Sequence, residues 1–88
     1  VRLVFSDQAW EDYQYWVSAN DKVRDRINEL IKQCTRTPFK GTGKPEPLKG
    51  DLTGWWSRRI SREDRIVYRV SGTGDSQSLK IAQLRFHY

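Results

Sequence analysis

Three residues far apart in the sequence carry side chains that could work together on a phosphate ester. His87 is the sole histidine in the 88-residue sequence, and imidazole has the ordinary pKa nearest neutrality, which suits it to give or take a proton. Glu46 stands between Pro45 and Pro47. Flanking prolines stiffen the backbone, so one carboxylate can be held in place at low entropic cost. Arg65 offers a guanidinium that stays charged and can donate two parallel bonds to phosphate oxygens. A carboxylate, an arginine and a histidine are what RNA cleavage through the ribose 2′-hydroxyl needs. They serve as base for the attacking hydroxyl, cation for the phosphorane-like transition state, and acid for the departing 5′-oxygen. Each also has a plain structural reading: a surface histidine near a frayed end, a cross-strand ion-pair partner, and a rigid Pro-Glu-Pro connector.

The elements that would position these residues can be read from periodicity. Residues 2–5 read as a short strand, with Ser6 as an N-cap. Ala9, Trp10, Tyr13, Trp16 and Val17 then follow at helical spacing. Asn20 and Asp21 break and recap the chain; Val23, Ile27, Leu30, Ile31 and Cys34 mark a second helix ending before Pro38. The segment from Thr37 to Gly54 holds all three prolines and reads as a long irregular loop. Residues 55–61 and 65–70 read as a hairpin, and 78–86 as a last strand. The expectation is a single α+β domain over residues 1–88, with two N-terminal helices packed on one face of an antiparallel sheet and the other face left open.

Side chains alternate across a strand, so parity sorts them. Trp56, Arg58 and Ile60 oppose Ser57 and Arg59; Ile66, Tyr68 and Val70 oppose Arg65, Val67 and Arg69; Ala82, Leu84 and Phe86 oppose Gln83, Arg85 and His87. With the apolar rows toward the helices, one surface collects Arg59, Arg65, Arg69, Arg85 and His87. That requires an odd-length hairpin loop, such as three residues at 61–63, or a bulge, because a two-residue loop would put Arg59 and Arg65 on opposite faces. Lys49, Arg59, Arg85 and Tyr88 are candidates for phosphate contact, base stacking and orientation, and each could equally be a surface or packing residue. An ordinary solvated sheet face also carries arginines.

Composition narrows the class. Sixteen Lys plus Arg against eleven Asp plus Glu leave a net charge of +5, which favours polyanionic partners, nucleic acid above all. Cys34 is the sole cysteine, which excludes an intrachain disulfide and favours a reducing, intracellular setting. It falls on an apolar helix stripe and reads as a buried structural thiol. One Cys and one His do not make a zinc site of usual spacing, no other cofactor is expected, and no stretch is long and apolar enough to span a membrane.

The sequence resembles the YoeB family of bacterial toxins, within the wider RelE-like group. The resemblance rests on Ala-Trp-Glu-Asp-Tyr at 9–13, Ile-Asn-Glu-Leu-Ile-Lys at 27–32 and Thr-Pro-Phe at 37–39. More specific are Gly-Lys-Pro-Glu-Pro-Leu-Lys at 43–49, Trp-Ser-Arg-Arg-Ile at 56–60, Asp-Arg-Ile-Val-Tyr at 64–68 and Arg-Phe-His-Tyr at 85–88. It implies the fold of microbial ribonucleases and a ribosome-dependent messenger endoribonuclease in the bacterial cytoplasm, acting in the decoding site of the 70S ribosome. In that scheme Glu46 is the base, Arg65 stabilises the scissile phosphate, His87 is the acid, and Lys49, Arg59 and Tyr88 contact RNA. The products are a 2′,3′-cyclic or 3′-phosphate and a 5′-hydroxyl. The resemblance also implies a YefM-like antitoxin that covers the site, and a homodimer. Other classes the fold could serve are a non-catalytic RNA- or ribosome-binding inhibitor and a gyrase poison, neither of which needs an acid–base pair. Two departures stand out: Glu63-Asp64 where the family usually has Glu-His, and a longer hairpin loop at 71–78. Neither is expected to touch the catalytic set.

Overall fold

In the computed structural model, which describes residues 1–86, strand β1 (Arg2–Phe5) runs directly into helix α1 (Asp7–Ala19) through Ser6. The Ser6 hydroxyl accepts the Ala9 amide at 3.0 Å and so satisfies one of the donors that a helix start leaves unpaired. Asn20 closes α1 and opens helix α2 (Asp21–Arg36), its side chain accepting from the amides of Lys22 and Val23. One residue therefore serves two helices, which brings them together with almost no connecting chain. Thr37 ends α2 just before Pro38, which cannot continue the helical bonding.

The rest of the chain forms a sheet. Strands β2 (Glu46–Pro47), β3 (Trp56–Arg59), β4 (Arg65–Ser71) and β5 (Ser78–Gln83) line up with β1 in the order β1-β5-β4-β3-β2. The α+β arrangement is as expected, but the sheet is mixed. β1 lies parallel to β5, with Arg2 opposite Ser78 and Phe5 opposite Ile81. Parallel neighbours need a long crossover between them, and both helices are part of that connection. The irregular segment also yields the two-residue edge strand β2, where Pro47 is tolerated because an edge leaves amide positions unused.

The core lies between the helices and one sheet face. Ala9 and Trp16 from α1, and Ile27, Leu30, Ile31 and Cys34 from α2, meet Ile60, Ile66, Tyr68, Leu79, Ile81 and Leu84. Trp10 and Val17, read as part of the α1 apolar stripe, remain substantially exposed. The last strand changes phase: Tyr68 pairs with Ile81 and Val67 with Gln83, so an irregularity at Ala82 inserts one residue. Leu79, Ile81 and Leu84 consequently all face the core, which strict alternation forbids. Phe86, expected beside Leu84 in the inner row, is exposed and adopts φ 67° after the strand has ended.

Burial raises the Cys34 thiol from its ordinary 9.0 to about 11 and the Tyr68 phenol from 10.0 to about 12. Both groups stay neutral in the folded protein at pH values where the unfolded chain ionises them. Their contribution to stability is therefore complete below pH 9, and falls as pH rises through about 9 to 12. Urea midpoints measured at pH 8, 9.5 and 10.5 should fall over the last two, and Cys34→Ala should flatten the earlier part of that decline.

Candidate active site

The β3–β4 hairpin decides which side chains share a face. Arg59 lies directly opposite Arg65, Ser57 opposite Val67, and Trp56 opposite Tyr68. The Ile60 amide donates to the Asp64 carbonyl at 2.9 Å, which closes a loop of three residues, 61–63. This is the odd-length loop that the parity argument required. Trp56, Arg58, Ile66 and Tyr68 accordingly face the helices, and Ser57, Arg59, Arg65, Val67 and Arg69 face away.

β2 adds the carboxylate. Glu46 lies opposite Ser57, which puts it on the same face as the arginines. Its Oε1 comes within 3.8 Å of Arg65 Nη1, the Glu46 side chain half exposed and that of Arg65 mostly covered. Among the described residues, neither Arg65 Nη1 nor the buried Ser57 hydroxyl has a hydrogen-bond partner. Buried polar groups are nearly always paired, which makes these two atoms unusual among the described residues. The face is not bare, however. Leu48 continues the alternation from Glu46, is tied to Trp55 through its amide at 2.9 Å, and is buried, as is Val67.

The loop before Glu46 is organised by a different arginine. Arg58 is fully buried on the helix side of β3. Its guanidinium donates to the carbonyls of Thr37, Lys40 and Thr42 and to the Tyr68 hydroxyl. Tyr68 in turn donates to the Pro38 carbonyl. Gly43 then sits at φ 88°, and an added Cβ there would lie 3.1 Å from both Arg58 Cβ and Leu30 Cδ2. Its carbonyl accepts the Arg59 amide at 2.7 Å, so the loop is pressed against β3 three residues before Glu46.

Of the residues singled out from the sequence, the structure brings together Glu46, Arg59 and Arg65. Lys49 is exposed where the short turn Gly50–Leu52 begins. Arg85 does not join the arginine row: past the end of β5, its guanidinium carbon stacks 3.5 Å above the ring of Tyr15 on α1. His87 and Tyr88 lie outside the described residues. Parity had already placed Ser57 on this face, but nothing in the sequence marked its hydroxyl as unpartnered. The binding role of Asp64 was not foreseen. Its carboxylate accepts the Phe86 amide at 2.7 Å and the Ser61 hydroxyl at 2.9 Å. The departure at Glu63-Asp64 thus reaches Phe86, the residue directly before His87 in sequence, though Phe86 is not itself one of the proposed site residues.

These features define a small α+β protein with a cationic, carboxylate-bearing sheet face backed by two helices. Residues 5–88 match the family described as the YoeB-like toxin of bacterial type II toxin–antitoxin systems. Toxin YoeB of Streptomyces coelicolor is 52% identical over the whole length of both chains. The YoeB/ParE toxin from Agrobacterium tumefaciens is also 52% identical, with a TM-score of 0.98 and full coverage of both chains. Staphylococcus aureus YoeB has been solved in a YoeB–YefM complex and as a dimer. Those chains are 46% and 45% identical, with TM-scores of 0.87 and 0.86 over all of this chain and 98% of theirs. The chain belongs to the YoeB-like toxin family, and its fold is the RelE-like one that the sequence resemblance implied.

The two arginines of the hairpin should differ sharply in what their removal costs. Arg58→Met leaves several loop carbonyls without their donor and should cost about 3 kcal/mol or more in chemical denaturation. Arg65→Met removes a donor without a described hydrogen bond and a long, partly exposed ion pair, so stability should stay within about 1 kcal/mol of wild type. Equal losses from both would mean that Arg65 is there to hold the fold.

Proposed function

We propose that the protein is a ribosome-dependent endoribonuclease that cuts messenger RNA by acid–base chemistry and thereby stops translation. The observation that carries this reading is the pairing of Glu46 with Arg65 at 3.8 Å on one sheet face, the guanidinium retaining a buried nitrogen without a described hydrogen-bond partner. Glu46 takes the proton of the ribose 2′-hydroxyl. The oxygen attacks the adjacent phosphorus, and Arg65 donates to the phosphate oxygens as negative charge gathers there. His87 gives a proton to the departing 5′-oxygen, which leaves a 2′,3′-cyclic phosphate, open to hydrolysis to a 3′-phosphate, and a 5′-hydroxyl. The nucleophile belongs to the substrate, so the scheme needs no metal.

Arg59, exposed directly across from Arg65, and Lys49 extend the positive surface along which an RNA backbone can run. Tyr88 suits stacking on an unstacked base. The +5 charge of the chain supports a polyanionic partner. By analogy with its relatives, this chain pairs with a YefM-like antitoxin that shields the site, and it self-associates. A toxin of this kind meets its ribosomes in the bacterial cytoplasm.

Purified protein incubated with ribosomes and messenger should produce fragments with 5′-hydroxyl ends. Glu46→Ala and His87→Gln should each slow cleavage by about a hundredfold or more, while ribosome binding survives. Binding without cutting would leave inhibition by occupancy as the activity. Full cleavage by His87→Gln would remove that residue as the acid.

A further inference from the structure

After Gln83 the sheet ladder ends, and the backbone groups of the following residues must find other partners. They find them in side chains and in β4. Trp16 donates through its ring nitrogen to the Leu84 carbonyl at 2.8 Å, and the buried carboxylate of Asp12 accepts the Leu84 amide at 3.0 Å. Phe86 is tied through both its amide and its carbonyl. Its N–H donates to Asp64 Oδ1 at 2.7 Å, and its carbonyl accepts the Arg65 amide at 3.1 Å. The Gln83 side chain also donates through Nε2 to the Arg85 carbonyl at 3.1 Å. Phe86 is held at φ 67° by these bonds, a conformation that residues with a side chain seldom adopt without support.

We propose that Asp64 is a positioning residue: its carboxylate, braced by Ser61, holds the Phe86 amide and so fixes the point from which the chain continues to His87. The inference rests on the ribonuclease reading for the role of His87. The clamp itself stands on geometry. A short bond from an amide to a carboxylate is among the stronger hydrogen bonds. The second oxygen of Asp64 accepts the Ser61 hydroxyl at 2.9 Å, and Ser61 Oγ accepts the Asp64 amide at 3.2 Å, so the carboxylate has little freedom to turn. The Phe86 carbonyl belongs to the peptide bond leading to residue 87, and a planar peptide transmits its orientation to the next residue. Because that carbonyl is bonded to the Arg65 amide, the peptide that leads to residue 87 starts from a group held by Asp64 and Arg65 together.

Asparagine can keep both contacts, its carbonyl oxygen accepting from Phe86 and its NH2 donating to the Ser61 hydroxyl, whereas alanine keeps neither. Amide exchange at Phe86, read by NMR, should be slow in wild type and Asp64→Asn and fast in Asp64→Ala. In cleavage assays with ribosomes, Asp64→Ala should lower kcat about tenfold to a hundredfold with KM little changed, the size expected when a reacting group is displaced by about an ångström. Asp64→Asn should stay within about threefold of wild type. Equally fast Phe86 exchange in wild type and Asp64→Ala would show that there is no clamp. Lost protection with an unchanged kcat, or a change confined to KM, would show that the clamp does not position the acid. A wild-type protein that cuts nothing, as inert as His87→Gln, would sink the ribonuclease reading and the catalytic half of this proposal, while the exchange rates still decided the clamp.

Discussion

The register of one hairpin governs the arrangement of this molecule. Arg59 faces Arg65 because the loop between Ile60 and Asp64 has three residues. One residue more or fewer would send each β4 side chain to the other face relative to β3. Arg65 would then enter the core and Ile66 would be exposed on the face that now carries Glu46. The loop is also secured chemically. Ser61 and Asp64 exchange side-chain and backbone bonds across it, and the Asp64 carbonyl accepts the amides of both Ile60 and Ser61. A turn that in many hairpins merely reverses the chain here sets the polarity of two sheet faces.

That polarity places two guanidinium groups, seven residues apart, in contrasting environments. Arg58 is buried against the helices with its donors given to loop carbonyls and a tyrosine hydroxyl. Arg65 makes a long contact from Nη1 to a carboxylate, and that covered nitrogen has no hydrogen-bond partner among the described residues. Burying a charge is costly unless its donors are satisfied, so Arg58 works as a hub for the loop that leads to Glu46, and Arg65 gains little from its surroundings. Proteins commonly give up some stability in this way where a group must stay available to a ligand. The family to which the chain belongs and this asymmetry point in the same direction, though they are independent observations.

Much of this was legible in the sequence. The caps at Ser6 and Asn20, the stop before Pro38 and the buried stripe of α2 follow from local chemistry, and the structure has them where the spacing put them. Alternation alone also placed Arg59 and Arg65 together once an odd loop was assumed. The misses share a cause. The parallel pairing of β1 with β5, the inserted residue at Ala82 and the turning of Arg85 onto Tyr15 all depend on partners remote in sequence, which periodicity does not encode. Ser57 belongs to the same group: its place on the face was legible, the lack of a described partner for its hydroxyl was not.

Asp64 is the most instructive of these. At the level of composition it was one more acidic residue in a turn, and at the level of resemblance it was the loss of a histidine. In space it joins the turn that fixes the hairpin to the segment that follows the last strand, through a single 2.7 Å bond. Asp12 does the same from the helix side, reaching Leu84 across 72 positions of sequence. Two carboxylates from opposite layers therefore take over where the ladder stops, each accepting an amide that would otherwise have no strand partner. The segment from Leu84 to Phe86 owes its position to these side chains and one backbone bond to β4 rather than to a continued ladder. A point substitution far from it in sequence can consequently move it while leaving the core and the hairpin register intact.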